Sequence, residues 1–371
     1  MFIAMKNAFI DEIQSIKNST YKLLLISVFP LLSFFLLVAI FYEGVLQDLP
    51  IVVVDNDKSA LSRELIRTIN DTKTLKIAFK QESVKKASQL IQETKAYALV
   101  IIPPHFQRDT ILKKQPQVTA MINTQYILLG KIIKSSLNTA FGTATMRVQY
   151  MQTLSKKPLI GLQITPFFNT YQNYFLFLVS ALLPSVWQIF IVIATIVSFG
   201  ELIKKEKYLS SFKENTFAKI IGKLLPYTLA YMLLGVLYTW YIYGTLGWSF
   251  EGSFFILFFG MFLTIVAYQA VALFLFVSGF DYARTLSLGA VYTAPAFAFL
   301  GVTFPIYNMN GFALFWRDIL PISHFIELQI SQANYGLSLY YELDKLLILF
   351  SFWVLFLPVY LRFRQRVKNE F

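Results

Sequence analysis

The chain has 371 residues, of which 56% are hydrophobic and 15% charged, against roughly 25% charged in soluble domains, so much of its apolar surface must face something other than water. With no cysteine and two histidines, His105 and His324, it has no disulfides, no thiol catalysis and no histidine-rich metal centre. The net charge of +12 acquires meaning only when divided between the two sides of a membrane, so it is not read as a nucleic-acid footprint.

Residues 1–18 place Phe2, Met5, Phe9, Ile13 and Ile16 on one helical face, with Lys6, Asp11, Gln14 and Lys17 elsewhere. That pattern predicts an amphipathic helix over 1–20 along the cytoplasmic interface. Residues 23–41 are apolar and free of charge, long enough to cross a bilayer core of about 30 Å. No small-residue cleavage site precedes Glu43, so 21–42 is read as an uncleaved first span. Pro30 inside it is tolerable where neighbouring helices re-satisfy the freed carbonyl.

Between 43 and 165 the pattern changes to that of an α/β domain. Strands are predicted at 50–55, 75–79, 97–102 and 118–122, alternating with helices at 59–70 and 83–92, and a long helix over 126–154 returns to the membrane. Asp55 and Asp57 stand at the end of the first strand. As a calcium loop beginning at Asp55, the sixth and twelfth positions would be Gly and Glu, but they are Ala60 and Ile66, so the loop fails at both. The acids are read as ending a strand and starting a helix, with Asp57 or Ser59 capping it. Residues 47–165 hold 17 basic and 8 acidic side chains, an excess suited to a solvated surface or to an acidic partner or anionic headgroups.

Further spans are predicted at 174–199, 224–243, 254–280, 286–304 and 346–361. The chain is thus a polytopic α-helical membrane protein with six transmembrane helices, an α/β extracytoplasmic domain between spans 1 and 2, and a five-span domain over 166–371. The basic flanks set the orientation. Lys6, Lys17 and Lys22, then the six lysines from Lys204 to Lys223, then Arg284, then Arg362 to Lys368 all fall on one side. That side is the cytoplasm, with both termini inside. Ionisable residues are almost absent from the spans, so a proton-driven carrier lacks its usual signature. Gln188 and Gln269 are polar candidates for lining a pathway, or for hydrogen bonding between helices. His324 and Glu327, three apart on a helix face, are read as a hydrogen-bonded couple. The chain has no P-loop, no G-x-S-x-G elbow and no metal cluster, so no catalytic residue is assigned.

Several stretches carry a resemblance. "VVVDNDKSALSREL" (52–65) and "ALVIIPPHFQRD" (98–109) lie in the inserted domain, and "GKLLPY" (222–227) opens the third span. "GVTFPIYNM" (301–309) and "LPISHF" (320–325) lie near the outer ends of the last two spans. Together they resemble the permease of ABC transporters in the type-2 exporter family, in the bacterial branch with a large outer domain between the first two spans. The loop after the second span lacks the Gly-Thr and Glu common in that family, and Asn310 stands where Pro is common.

The resemblance implies a permease in the bacterial inner membrane that exports a small amphipathic, drug-like or lipid-like molecule by alternating access. ATP and Mg would be held by cytoplasmic ABC ATPase subunits, with no cofactor on this chain. A second permease copy or paralogue, membrane lipids and a periplasmic adaptor protein are the other implied partners, and nucleic acid is not one. The cytoplasmic loop within 200–223 would couple to the ATPase through Glu201, Lys205, Glu206, Tyr208, Phe212 and Lys213, with Phe212 or Tyr208 as an anchor. Gly301, Phe304, Pro305 and Pro321 would form the family's outer turn. The competing class is a non-transporting receptor or scaffold whose outer domain binds a partner.

Overall fold

The structure is a computed structural model that describes residues 1–41, 47–112, 114, 116–123, 127–152, 174–204, 212, 214–302 and 306–370. The chain divides into two compact units, one formed by Met1–Tyr42 with Phe167–Phe371 and the other by Glu43–Pro166. The first unit opens with helix α1 (Phe2–Lys17). Ser19 then accepts a hydrogen bond from the Lys22 N–H and so caps helix α2 (Thr20–Phe41), which is long and apolar enough to cross a membrane. Proline at position 30 has no N–H to donate, and α2 absorbs this with a wide π-type turn over Leu24–Val28. In that register the acceptor left open is the Leu25 carbonyl, five residues back.

In the second unit, strands β1 (Leu49–Asp55), β2 (Leu75–Gln81), β3 (Ala98–Ile102) and β4 (Thr119–Ile122) form one sheet of order β2-β1-β3-β4. β1 is parallel to both neighbours and β4 is antiparallel to β3. The intervening helices are α3 (Ala60–Asn70), α4 (Val84–Gln92), α5 (Phe106–Ile111) and α6 (Ile127–Gln152). β1 is an unbroken apolar run because both of its faces are covered. Ile51 and Val53 pack with Leu65, Ile69, Ile133 and Leu137 of α3 and α6, whereas Val52 and Val54 pack with Ala87 of α4.

The aspartates at the top of β1 organise the chain reversal. Asp55 Oδ1 accepts from the backbone N–H of Asp57 and of Lys58, both at 3.0 Å, and Oδ2 accepts from the Ser62 hydroxyl at 2.8 Å. Ser59 caps α3, accepting from the Ser62 N–H at 3.1 Å. Asp57 does something the sequence did not suggest: it accepts from the Gln107 N–H at 3.0 Å, at the start of α5, and so ties two βα junctions together. Partial burial opposes the charge on Asp57, but hydrogen bonds from Ser59 and the backbone of Gln107, Phe106 and His105 hold its carboxyl below the usual range. Among the described residues, no three of His, Cys, Asp or Glu are grouped to hold a metal ion.

The first unit resumes with α7 (Tyr174–Lys204), α8 (Thr216–Thr245) and α9 (Phe254–Val277). After a turn capped by Asp281 come α10 (Tyr282–Thr293) and α11 (Ala296–Phe299), then α12 (Gly311–Asp318), α13 (Pro321–Ile330) and α14 (Leu339–Lys368). Among the described residues five helices are long and apolar enough to cross a membrane: α2, α7, α8, α9 and α14. The predicted span at 286–304 is not one continuous helix. Pro295 lacks the N–H that would bond Val291, so α10 ends at Thr293 and the chain restarts as α11. Twelve residues of α10 rise only about 18 Å.

Candidate functional site

Charges cluster where α1, α2, α7 and α8 meet. α1 packs along α8 at Gly222, where a Cβ would meet the Met5 carbonyl and would lie 3.0 Å from the Ala8 Cβ. Only glycine lets the two backbones come this close. The packed face of α1 takes in most of the predicted apolar one, with Ile16 buried and Met5, Phe9 and Ile13 half-buried, but Phe2 is exposed and Glu12 is buried beside that face.

Glu12, 2% exposed, receives four donors. Lys22 Nζ lies 3.0 Å from Oε1, the Tyr227 hydroxyl 2.7 Å and the Ser198 hydroxyl 2.9 Å, and Lys223 Nζ pairs with Oε2. Lys22, 1% exposed, spends its remaining protons on the Ser15 hydroxyl at 2.8 Å and on Glu201 Oε2 at 2.7 Å. The Ser15 hydroxyl also donates to Glu201 at 3.2 Å. Two carboxylates and two ammonium groups therefore balance, which is the condition under which buried charge is tolerated. Burial opposes the negative charge on Glu12, but Lys223 and Lys22 outweigh it and hold the carboxyl below its usual range.

Glu201 begins the segment expected to couple to the ATPase. Within that segment Lys205, Glu206, Tyr208 and Lys213 lie outside the described residues. Phe212 is described, and it is not an exposed anchor. It is 4% exposed and packs against Phe363 of α14, ring centroids 6.0 Å apart. Phe363 is the hub of an aromatic cluster, with Phe280 at 5.5 Å, Phe199 at 5.9 Å and Phe276 at 6.4 Å. Lys223 Nζ lies 5.8 Å from the Phe199 ring centroid, so the ionic and aromatic clusters adjoin.

The other candidates are bonded within the chain. Gln188 donates to the Thr293 carbonyl at 3.4 Å and accepts from the Tyr268 hydroxyl, which in turn accepts from the Ile322 N–H at 3.1 Å. Gln269 joins α9 to α8, accepting from Thr228 at 3.0 Å and donating to the Leu224 carbonyl at 3.3 Å. His324 and Glu327 do not bond to each other as the sequence suggested. His324 reaches the Asp318 carbonyl at 3.1 Å, and Glu327 takes Arg317. Gly301 has φ +81°, where a side chain would be strained and would meet Ile306. Pro321 starts α13, and Phe304 and Pro305 lie outside the described residues. An open cleft lined by Leu183, Pro184, Trp187, Tyr238 and Met261 has a volume of about 30 Å³.

Sequence reasoning missed the ionic cluster. Glu12 lies four residues before Ile16 on the same helical stripe, and an acid on an apolar stripe was the available signal. Compared with known families, the chain matches the model of the ABC-2 family transporter protein over residues 21–361, a range that takes in both units. No curated protein and no solved structure matches it.

Proposed function

The chain belongs to the ABC-2 transporter family, and from that premise we propose that it is the permease of an ATP-driven exporter. Membership itself makes it a membrane component of an ABC transporter that works with an ABC ATPase subunit. The proposal adds that it moves a small amphipathic, drug-like or lipid-like molecule outward across a bacterial inner membrane by alternating access. Both termini lie in the cytoplasm, the Glu43–Pro166 unit lies outside, and the broken α10–α11 segment completes a sixth crossing. Two permease copies, or two paralogues, form the pathway. Direction and substrate class rest on the resemblance to the exporter branch.

The observation that carries the reading is the family match across the spans and the α/β unit alike. The coupling role of the segment beginning at Glu201 is supported by where its ends are held: Glu201 joins Lys22 in the ionic cluster and Phe212 packs on Phe363. Purification of the chain from its native membrane should bring down an ABC ATPase. Inverted vesicles holding the complex should accumulate an amphipathic dye only when ATP is supplied. Single cysteines at Lys95 and Lys368, in a chain with none of its own, should label from outside and from inside respectively. A chain that purifies with no ATPase and supports no ATP-dependent uptake sinks the proposal.

A further inference from the structure

We propose that the Lys22–Glu201 bond is a detachable catch, made in one state of the transport cycle and broken in the other, through which the first span follows the cytoplasmic loop. The inference rests on the permease reading above and assigns positioning roles to Lys22 and Glu201 within it.

The ionic cluster has two unequal halves. Around Glu12 the bonds are buried and redundant, with donors from Lys22, Lys223, Tyr227 and Ser198. Removing a charged member there strands its partner away from water, so this half stays closed. Glu201 is different. Its side chain is 36% exposed, and Lys22 and Ser15 both bond the same oxygen, Oε2. When Glu201 swings away it gains water, and Lys22 keeps Glu12 and Ser15. Neither charge is orphaned, although Lys22 and Lys223 then share Glu12, so opening this bond costs less than opening any ion pair of Glu12 itself.

Its placement gives the opening a consequence. Lys22 is in the first turn of α2 and Glu201 is near the end of α7, where the loop begins. A pull on the loop therefore frees the last turn of α7, from Glu201 onward, from Ser15 and Lys22, while Glu12 keeps α1 on α8 and, through Ser198, on the preceding turn of α7. The other buried carboxylate network lacks this property. Glu342 bonds Ser331, Gln332 and Lys345, all on the adjoining α13–α14 segment, and so ties neighbours in sequence.

The test uses the whole complex in lipid vesicles. Glu201→Gln should assemble normally and hydrolyse ATP while moving less substrate per ATP, by about fivefold or more, the range of ordinary coupling energies. Glu201→Asp should recover most of that ratio, and adding Lys22→Met to Glu201→Gln should lower it no further. A strut and a catch are separated by a bridge: Ser15→Cys with Glu201→Cys, oxidised, ties α1 to α7 while leaving Lys22 on Glu12. The oxidised pair should stop transport, and a reductant should return it to the lowered ratio of Glu201→Gln rather than to that of the wild type. Oxidised pairs that transport at the reduced rate, or a fully coupled Glu201→Gln, overturn the catch. A wild-type complex without ATP-driven transport overturns instead the permease reading on which it rests.

Discussion

Replacing Glu12 by Gln removes one charge from a buried, balanced group of four. The amide oxygen still accepts one of the four donors, which preserves about 1 kcal/mol. Lys22 keeps Glu201 and Ser15. Lys223 loses its hydrogen-bonded carboxylate and retains the Phe199 ring at 5.8 Å. One stranded ammonium costs about 3–5 kcal/mol, so the net loss is expected at about 2–4 kcal/mol after the retained bond is subtracted. Unfolding of the purified transporter in detergent, followed by heat and by denaturant, measures it. Lys223→Met on top of Glu12→Gln removes the stranded charge, so the double variant should be more stable than the sum of the two singles by more than about 1 kcal/mol. Additive losses, or a Glu12→Gln protein within about 0.5 kcal/mol of the wild type, would refute the reasoning that these two charges depend on each other.

Glu12 has a folded-state pKa below the ordinary value, so its stabilisation is fully present above the usual Glu range and disappears as pH falls through the lowered value. The stability gap between wild type and Glu12→Gln should hold constant from neutral pH down to that range and close only below it. At Asp57, Asn can still accept from the Gln107 N–H, so Asp57→Asn should retain hydrogen-exchange protection at the α5 amides, whereas Ala should cost about 1 kcal/mol. Equal damage from both, or a divalent ion retained by the protein, would make the carboxylate more than a cap. Phe212→Ala should act on stability, by about 3–5 kcal/mol on the scale of buried Phe truncations; unchanged stability with lost ATPase association would return Phe212 to a docking role.

Much of the fold is legible in the residues because it is written in local pattern. The four strands of the α/β unit are runs or alternations bounded by Pro, Asp and Ser, and the spans announce themselves by length without charge. What escapes is anything decided by distant partners. Pro295 reads as one tolerable proline in an apolar stretch, and nothing nearby says that the chain will bend there. Lys22, Glu201 and Lys223 each lie within a turn of a predicted span edge, where charges ordinarily mark topology, and Glu12 lies on the interface helix. Only the fold places them in one group, and Gly222, the first residue of the "GKLLPY" stretch, is what lets α1 approach closely enough to complete it. Phe212 shows the same dependence on distance: an aromatic residue in a charged loop suggests a partner's pocket, and within the chain its ring packs on Phe363 of α14.

The wide turn in α2 has a bearing on how the protein is made. The Leu25 carbonyl that Pro30 cannot serve lies 3.2 Å from the Tyr231 hydroxyl, 206 residues later in the chain, and the Pro30 carbonyl lies 3.0 Å from that of Tyr238, 208 residues later. Lys22 likewise waits 179 residues for Glu201. When α2 leaves the ribosome, none of these partners has been synthesised. At about 5–20 residues per second, a nascent first span holds an open carbonyl and an under-paired ammonium for roughly 10–40 s. An open polar group is costly in hydrocarbon, so α2 is expected to reach its final packing only once α8 emerges. The third crossing then finishes the first, and truncation before Tyr231 leaves a span that enters the bilayer but never settles there.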